Sequence, residues 1–300
     1  MQTEQKDGIM TQRFAGKAAL VTGASSGIGK ATALALAQDG ADVAINYLTL
    51  PESAEAAAGE LRGLGRKALV IALGEALWGE VAPEGIDILT LCPGATESEA
   101  AAKQGVDPAL LRNQLPAADV ARATLAHITE GPTFFSSDFY KADMAGFRKT
   151  IDVSMWGAFY VLRAATNHMI KQGQGGSIVV VSSAHAHVAL PSCMAYNMAK
   201  AAEDQMARTA ALELIGYKIR VNIVYPGWTD TGGERKFFTE DVLKRAGAAL
   251  PLGRLARPEE IARGILFLLD PASDYITGTT LSVDGGTQLP WWSKRGTGEF

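Results

Sequence analysis

A chain of 300 residues with 47% hydrophobic and 20% charged content is globular in composition and long enough for one large α/β domain or two small ones. A formal net charge of -4 at pH 7, with no run of like charge, excludes the basic field that gathers nucleic acid or anionic lipid. The two cysteines, Cys92 and Cys193, lack metal-ligand spacing, and no apolar run approaches the roughly 20 residues of a membrane span. The expectation is therefore a cytoplasmic protein with free thiols, no metal, and no membrane or nucleic-acid partner.

Residues 1–13 are polar and read as a flexible tail ahead of the first periodic segment. From Lys17 onward, short apolar runs alternate with helical periods. The pattern predicts a strand at Ala18–Val21, a helix at Gly27–Gln38, a strand at Val43–Asn46, a helix at Ser53–Leu64 and a strand at Ala68–Ile71. It continues with a strand at Ile86–Leu91, a long helix around Ala145–Lys171, a strand at Ser177–Val181, a helix at Cys193–Ile215 and a strand at Arg220–Val224. A helix at Pro258–Leu269 and a strand near Thr280–Val283 close the series, and residues 291–300 read as a second tail. Such alternation builds right-handed βαβ units around a parallel sheet. No Gly/Ser- or Pro-rich linker divides it, so residues 14–290 are expected to form one α/β domain: a Rossmann-like doubly wound parallel sheet with helices on both faces.

Residues 72–137 depart from this plan. Ile86–Ser98 echoes Ile219–Thr231, each an apolar strand followed by Pro-Gly-x-Thr, an acid and a hydroxyl, and Asp119–Leu125 echoes Glu260–Leu266 in the same order. The segment reads as resembling the far end of the same fold, set in the middle, and its part from Ala95 to Ser137 reads as a rim or lid over the cleft beyond the strand ends.

The run Thr22-Gly23-Ala24-Ser25-Ser26-Gly27-Ile28-Gly29 follows an apolar strand and opens a helix. Glycines there let backbone approach a pyrophosphate, while the helix N-terminus offers free N–H groups and a positive dipole end. A second cluster is Ser183, Tyr196 and Lys200. Tyr196 and Lys200 lie one helical turn apart and project from the same face. A phenol with a reference pKa of about 10 is a poor base at neutral pH, and a neighbouring ammonium favours its phenolate. Ser183 would donate a hydrogen bond to a substrate oxygen.

Thr22-Gly-x-x-x-Gly-x-Gly29, Ser183, Tyr196-Asn197-Met198-Ala199-Lys200 and Pro226-Gly227-Trp228-Thr229 stand in the order found in the short-chain dehydrogenases/reductases, and the chain resembles that family over Phe14–Ile71 and Phe139–Gly286. The resemblance implies an oxidoreductase that interconverts a small carbonyl (3-oxoacyl-type, sugar or other) and an alcohol. It makes Tyr196 the proton donor and acceptor and Ser183 the residue that orients the carbonyl. Lys200 would bind the nicotinamide ribose and lower the Tyr196 pKa, and Thr229 would hold the carboxamide. It also implies a homodimer or homotetramer built on the helices ending near Lys171 and Ile215. The family's catalytic asparagine falls at Ser154, which is shorter and cannot make two-ended amide contacts, so a proton relay there is altered. The family's Asn-Asn-Ala-Gly falls at Leu91-Cys92-Pro93-Gly94. These departures keep open a second reading, a catalytically weakened dinucleotide-binding or regulatory protein of the same fold. An extended-family epimerase or dehydratase fits the glycine spacing less well.

Cofactor choice rests on the end of the second strand, where an acid would hold the ribose hydroxyls and repel a 2'-phosphate. Asn46 and Tyr47 stand there, and Ser25 or Lys30 could assist a phosphate, so NADP(H) is favoured, with NAD(H) as the alternative. His185 and His187 are candidates for the substrate pocket. Trp156 and Trp228 read as packing, Trp291 and Trp292 as a subunit contact, and Met155, Met194, Met198 and Met206 as core filling.

Overall fold

The computed structural model describes residues 12–47, 51–72, 88–91, 144–236 and 238–289. The expectations for the N-terminal tail up to residue 11, for most of 72–137, for Cys92, and for Trp291, Trp292 and the tail at 291–300 lie outside the described residues.

The strands are β1 (Ala18–Thr22), β2 (Asp42–Tyr47), β3 (Ala68–Ala72), β4 (Ile88–Leu91), β5 (Gly176–Val181), β6 (Ile219–Pro226) and β7 (Thr280–Val283). They form one 7-stranded sheet in the order β3-β2-β1-β4-β5-β6-β7, with every pairing parallel. The order reverses between β1 and β4, the switch point at which such sheets open a crevice beyond their carboxyl ends. The helices are α1 (Gly27–Gln38), α2 (Pro51–Gly63), α3 (Met144–Ile151), α4 (Gly157–Gln172), α5 (Met194–Glu213), α6 (Glu240–Ala248) and α7 (Pro258–Leu269).

Alternate strand residues serve two separate cores, as a period of two requires. Val21, Ile45, Val179 and Val181 pack with Leu36 of α1, Leu61 of α2 and Ile265 of α7. Their neighbours Leu20, Ile178, Val180 and Ile223 pack on the other side with Leu162 and Met169 of α4 and Ala207 and Ala211 of α5. Continuous apolar strands such as Ile178–Val181 thus signal burial on both faces.

Three elements differ from the sequence-based expectation. The long helix at 145–171 is broken by a π-helical turn at Asp152–Trp156 that carries Ser154. The helix at 193–215 ends at Glu213, followed by a 3₁₀ turn at Ile215–Tyr217 and by Lys218 at φ 58°. Helix α6 has no counterpart in the predicted series: it is short and poor in apolar residues, although the few it has fall on one face, where Leu243 and Gly247 are buried.

Candidate active site

β1 runs out at Thr22, and the chain turns through Gly23 and Gly27, at φ 63° and 56°, into α1. Ala24 N–H donates to Asn46 O at 3.2 Å, tying this turn to the end of β2. Ser25 is buried in the turn. Ser26 opens α1 in extended backbone and makes no side-chain cap, so the first-turn N–H groups have no capping oxygen. Close backbone and uncapped donors fit the pyrophosphate of a dinucleotide. The adenosine end is arranged differently from expectation. Asn46 is buried and its Nδ2 donates to Ile71 O at 3.3 Å, across to β3. Lys30 Nζ, at the surface, is bound to Glu60 Oε1 at 2.8 Å. Tyr47 is half-buried against the core.

β5 ends at Val181, and Ser183 caps a short 3₁₀ turn, its Oγ accepting from His185 N–H at 3.3 Å. α5 then brings Tyr196 and Lys200 back past this strand end. Ser182 Oγ donates to Lys200 O at 3.4 Å, and Ser182 N–H donates to Val224 O at 2.9 Å, which fixes the junction of β5, β6 and α5. Ser183 lies beside the Tyr196 hydroxyl, where its side chain lowers the phenol's pKa. Lys200 Nζ stands 5.6 Å from the centre of the Tyr196 ring. The three residues singled out in the sequence therefore converge on one point. Ser154 is buried in the π turn, which packs against α5 on the same side of the sheet.

The electrostatics of this point differ from the simple picture of an ammonium lowering a phenol. Burial raises the Tyr196 hydroxyl above its ordinary 10; Lys200 pulls it down, as expected, and Ser183 helps, but Glu203 and Glu234 oppose them. Glu203 lies one turn beyond Lys200, is 0% exposed, and holds Nζ through both carboxylate oxygens at 3.0 and 2.9 Å. Burial pushes the Glu203 carboxyl up to about 7 against the pull of Lys200. Burial also works against the Lys200 ammonium, and Glu203, Tyr196 and Asp204 together more than offset it, so Lys200 stays charged.

Around Tyr196 lie further groups that the motifs do not contain. The His185 ring meets the Tyr196 ring edge-on at 5.2 Å. Asn197 Nδ2 donates to Leu190 O at 3.2 Å, which turns its Oδ1 toward His185 Nδ1 at 3.0 Å and makes that nitrogen the donor. Burial and Lys200 outweigh this bond and hold His185 below its ordinary 6.5. His187 stacks on Tyr225 at 5.1 Å. After β6, Gly227 passes so near β7 that a Cβ on it would stand 2.7 Å from Asp284 Cα, and Thr229 Oγ1 donates back to Gly227 O at 2.8 Å. Trp228 Nε1 donates to Glu234 Oε2 at 2.7 Å, so this tryptophan orients a carboxylate as well as packing on Phe238. The same loop carries Thr231 to Gly27, where a Cβ would meet its methyl at 3.2 Å. Pro226, Gly227 and Thr229 thus share one loop that leans on the glycine turn.

Sequence reading missed Glu203, Asn197 and Glu234. For Glu203 the signal was present: positions 195, 199, 200, 203, 204, 207 and 211 form the buried stripe of α5, and an acid inside such a stripe demands a partner.

Residues 17–73 match the profile of the short chain dehydrogenase family, and residues 109–288 match that of the enoyl-(acyl carrier protein) reductase family. The chain belongs to the short-chain dehydrogenase/reductase family. It is 35% identical over 277 residues to the cis-4-hydroxycyclohexanecarboxylate dehydrogenase of Sinomonas cyclohexanicum, covering 92% of this chain and 98% of that one. It is 32% identical over 274 residues to the L-rhamnose 1-dehydrogenase (NAD(P)(+)) of a Sphingomonas species, covering 90% and 96%. Among solved structures, the acetoin dehydrogenase of Salmonella typhimurium superposes with a TM-score of 0.69 at 29% identity, covering 91% of this chain and 96% of that one. This family member is an NAD(P)-dependent oxidoreductase of the alcohol–carbonyl class. Among the described residues, no helix is long and apolar enough to cross a membrane and no group of His, Cys, Asp or Glu could hold a metal ion.

Proposed function

We propose that this short-chain dehydrogenase/reductase interconverts a small secondary alcohol and its ketone, with Tyr196 as the proton donor and acceptor. The observation that carries this reading is the convergence of Ser183, Tyr196 and Lys200 at the end of β5. A bound nicotinamide dinucleotide supplies or accepts the hydride. Ser183 holds the carbonyl oxygen by its hydroxyl, beside the phenol. Because the Tyr196 hydroxyl is raised, it is protonated at neutral pH and suited to give its proton to the oxygen of a ketone being reduced; alcohol oxidation needs the phenolate and gains as pH rises. Lys200 supplies positive charge beside the phenol, its three N–H donors being held by Val181 O and the two Glu203 oxygens.

The relatives are named for a hydroxycyclohexane acid, a sugar and acetoin, and another, 32% identical, for a 3-oxoacyl-[acyl-carrier-protein], which supports a small carbonyl of the sugar, 3-oxoacyl or other kind. The lack of an acid at Asn46 and Tyr47 supports NADP(H) over NAD(H), and a 2'-phosphate would compete with Glu60 for Lys30 at the surface. The expected homo-oligomer is supported by apolar side chains left exposed on α4 and α5. Met194 and Met198, expected in the core, are 40% and 51% exposed, Phe159 is 37% exposed and Leu212 73%. The second reading, a weakened dinucleotide binder, draws on Ser154, which sits buried in the π turn.

Nicotinamide absorbance followed with NADPH and NADH over a panel of ketones, beside Tyr196→Phe, tests the reading. Turnover by the parent with a loss of about 100-fold or more in the variant is the expected result. Absence of turnover by the parent, with NADPH still raising its melting temperature, would favour the weakened binder.

A further inference from the structure

Lys200 Nζ has three N–H donors, and three acceptors surround it: Val181 O at 3.3 Å and the two Glu203 oxygens at 3.0 and 2.9 Å. Lys200 and Glu203 side chains are 3% and 0% exposed, so this is a buried ion pair with both carboxylate oxygens spent on one ammonium. Burying two charges stabilises little against an apolar alternative, which makes the pair's retention inside the site a matter of chemistry rather than of stability. A bare ammonium beside Tyr196 would favour its phenolate strongly; an ammonium neutralised at close range acts on it only as a dipole.

From this geometry we propose that Glu203 is a positioning residue for the reaction: through Lys200 it fixes the ammonium on the β5 side and cancels part of its field at Tyr196, setting the pH at which the enzyme changes from ketone reduction to alcohol oxidation. The inference rests on the reading of Tyr196 as the acid and base.

The groups around Glu203 support a role confined to this pair. On α5 itself, Lys200 faces it and Asp204 is the next charge, opposing it weakly as a like charge. Asp204 is engaged on its other side: one oxygen accepts from the Tyr225 hydroxyl of β6 and from Arg208. The turn after β5 brings His185, held neutral by burial, and the loop after β6 brings Glu234, which acts on Tyr196. α3 and the π turn, which also pack on α5, carry Arg148, Lys149 and Asp152. None of these supplies a second cation to Glu203.

Glu203→Gln removes the charge and keeps the shape, and Glu203→Leu is the companion variant that removes the carboxyl without burying an unpaired amide. Two readouts apply to each: the pH profile of kcat/KM for alcohol oxidation, and the titration of tyrosinate absorbance without cofactor, blanked against Tyr196→Phe. With Lys200 still held charged by Tyr196 and Asp204, the expected result is a downward displacement of both the acid limb and the phenol titration by about one pH unit. An acid limb and phenol titration unmoved in a folded variant, or displaced upward, would overturn the inference. Failure of the underlying reading looks different: Tyr196→Phe would then keep its activity, whatever Glu203 does.

Discussion

A Cβ placed on Gly29 would stand 2.4 Å from the carbonyl oxygen of Gly23, closer than any real contact. The glycine turn and the first turn of α1 are therefore pressed together, and the third glycine of the motif is demanded by packing inside the protein, before any ligand arrives. Gly29→Ala is expected to force the turn outward, destabilising the fold by about 1–3 kcal/mol and weakening dinucleotide binding by about tenfold or more. Thermal melting and calorimetric titration with NADPH check the two parts. An alanine variant that binds as tightly as the parent would mean the turn can relax without harm to its cradle.

Gly59 makes the opposite case. It lies inside α2, is exposed, and a Cβ there meets nothing within 4 Å. Gly59→Ala is expected to stabilise the protein by about 0.5–1 kcal/mol through helix propensity alone, raising the melting temperature by about 2 °C without touching activity.

Arg220, at the start of β6, gathers the carbonyls that α7 leaves open at its C-terminus. It donates to Leu268 O at 2.8 Å, Asp270 O at 3.2 Å and Leu269 O at 3.5 Å, and reaches Ile276 O at 2.9 Å. Burial lowers the Arg220 pKa, and Asp274 and Asp270 resist that. Arg220→Met should cost about 1–2 kcal/mol in urea denaturation, because it removes a charged donor shared by four carbonyls, three of which keep a second donor in Ser177 Oγ, Asn222 Nδ2 and Ser273 N–H. Kinetics should stay at the parent level under conditions where the variant is folded, since Arg220 lies about 20 Å along the strand from the Gly227 end. Arg220→Lys, a point charge in place of a planar fork, should recover only part of the loss.

The sheet was legible because fully buried parallel strands leave short apolar runs, and Ala18–Val21, Ser177–Val181 and Thr280–Val283 were found within a residue or two of their observed bounds. Helix α7 was found to the residue, since Pro258 opens it and its apolar period is strong. The π turn at Asp152–Trp156 was not legible, because one extra residue per turn leaves the surrounding helical period nearly intact. At the site, Tyr196 and Lys200 stood out by their one-turn spacing on α5 and Ser183 by its place in the order of motifs, and the structure brings the three near one another. The ion pair of Lys30 was not legible, because its partner Glu60 stands 30 positions away on another helix, where no local pattern reports it. Glu203 escaped for a different reason: the motif ended at Lys200, and the inward stripe of the helix was not followed one turn further.

Glu260 yields the last expectation, and its sign can be worked out. At the third position of α7 it accepts Arg257 N–H at 2.8 Å, completing a capping box, while Arg254 grips both its oxygens at 2.8 and 2.7 Å. The Arg254 hydrogen bonds first, and the Arg257 N–H second, hold the carboxyl down at about 2 from its ordinary 4.5. A folded-state value below the unfolded one means that the folded protein releases this proton more readily, so the contribution to stability is complete above pH 4.5 and fades as pH falls toward 2. Glu260→Gln should therefore be less stable than the parent by a constant amount at neutral pH, with the gap closing through that acid window. The carboxylate is open to solvent, so added salt should shrink the gap at every pH. Urea midpoints of parent and variant, measured across the window at low and high salt, check this; urea is the denaturant to use because it leaves the ion pair unscreened. A gap that stays the same down to the lowest pH would trace the loss to the amide's poorer capping geometry, and the Arg254 pair would then have no part in it.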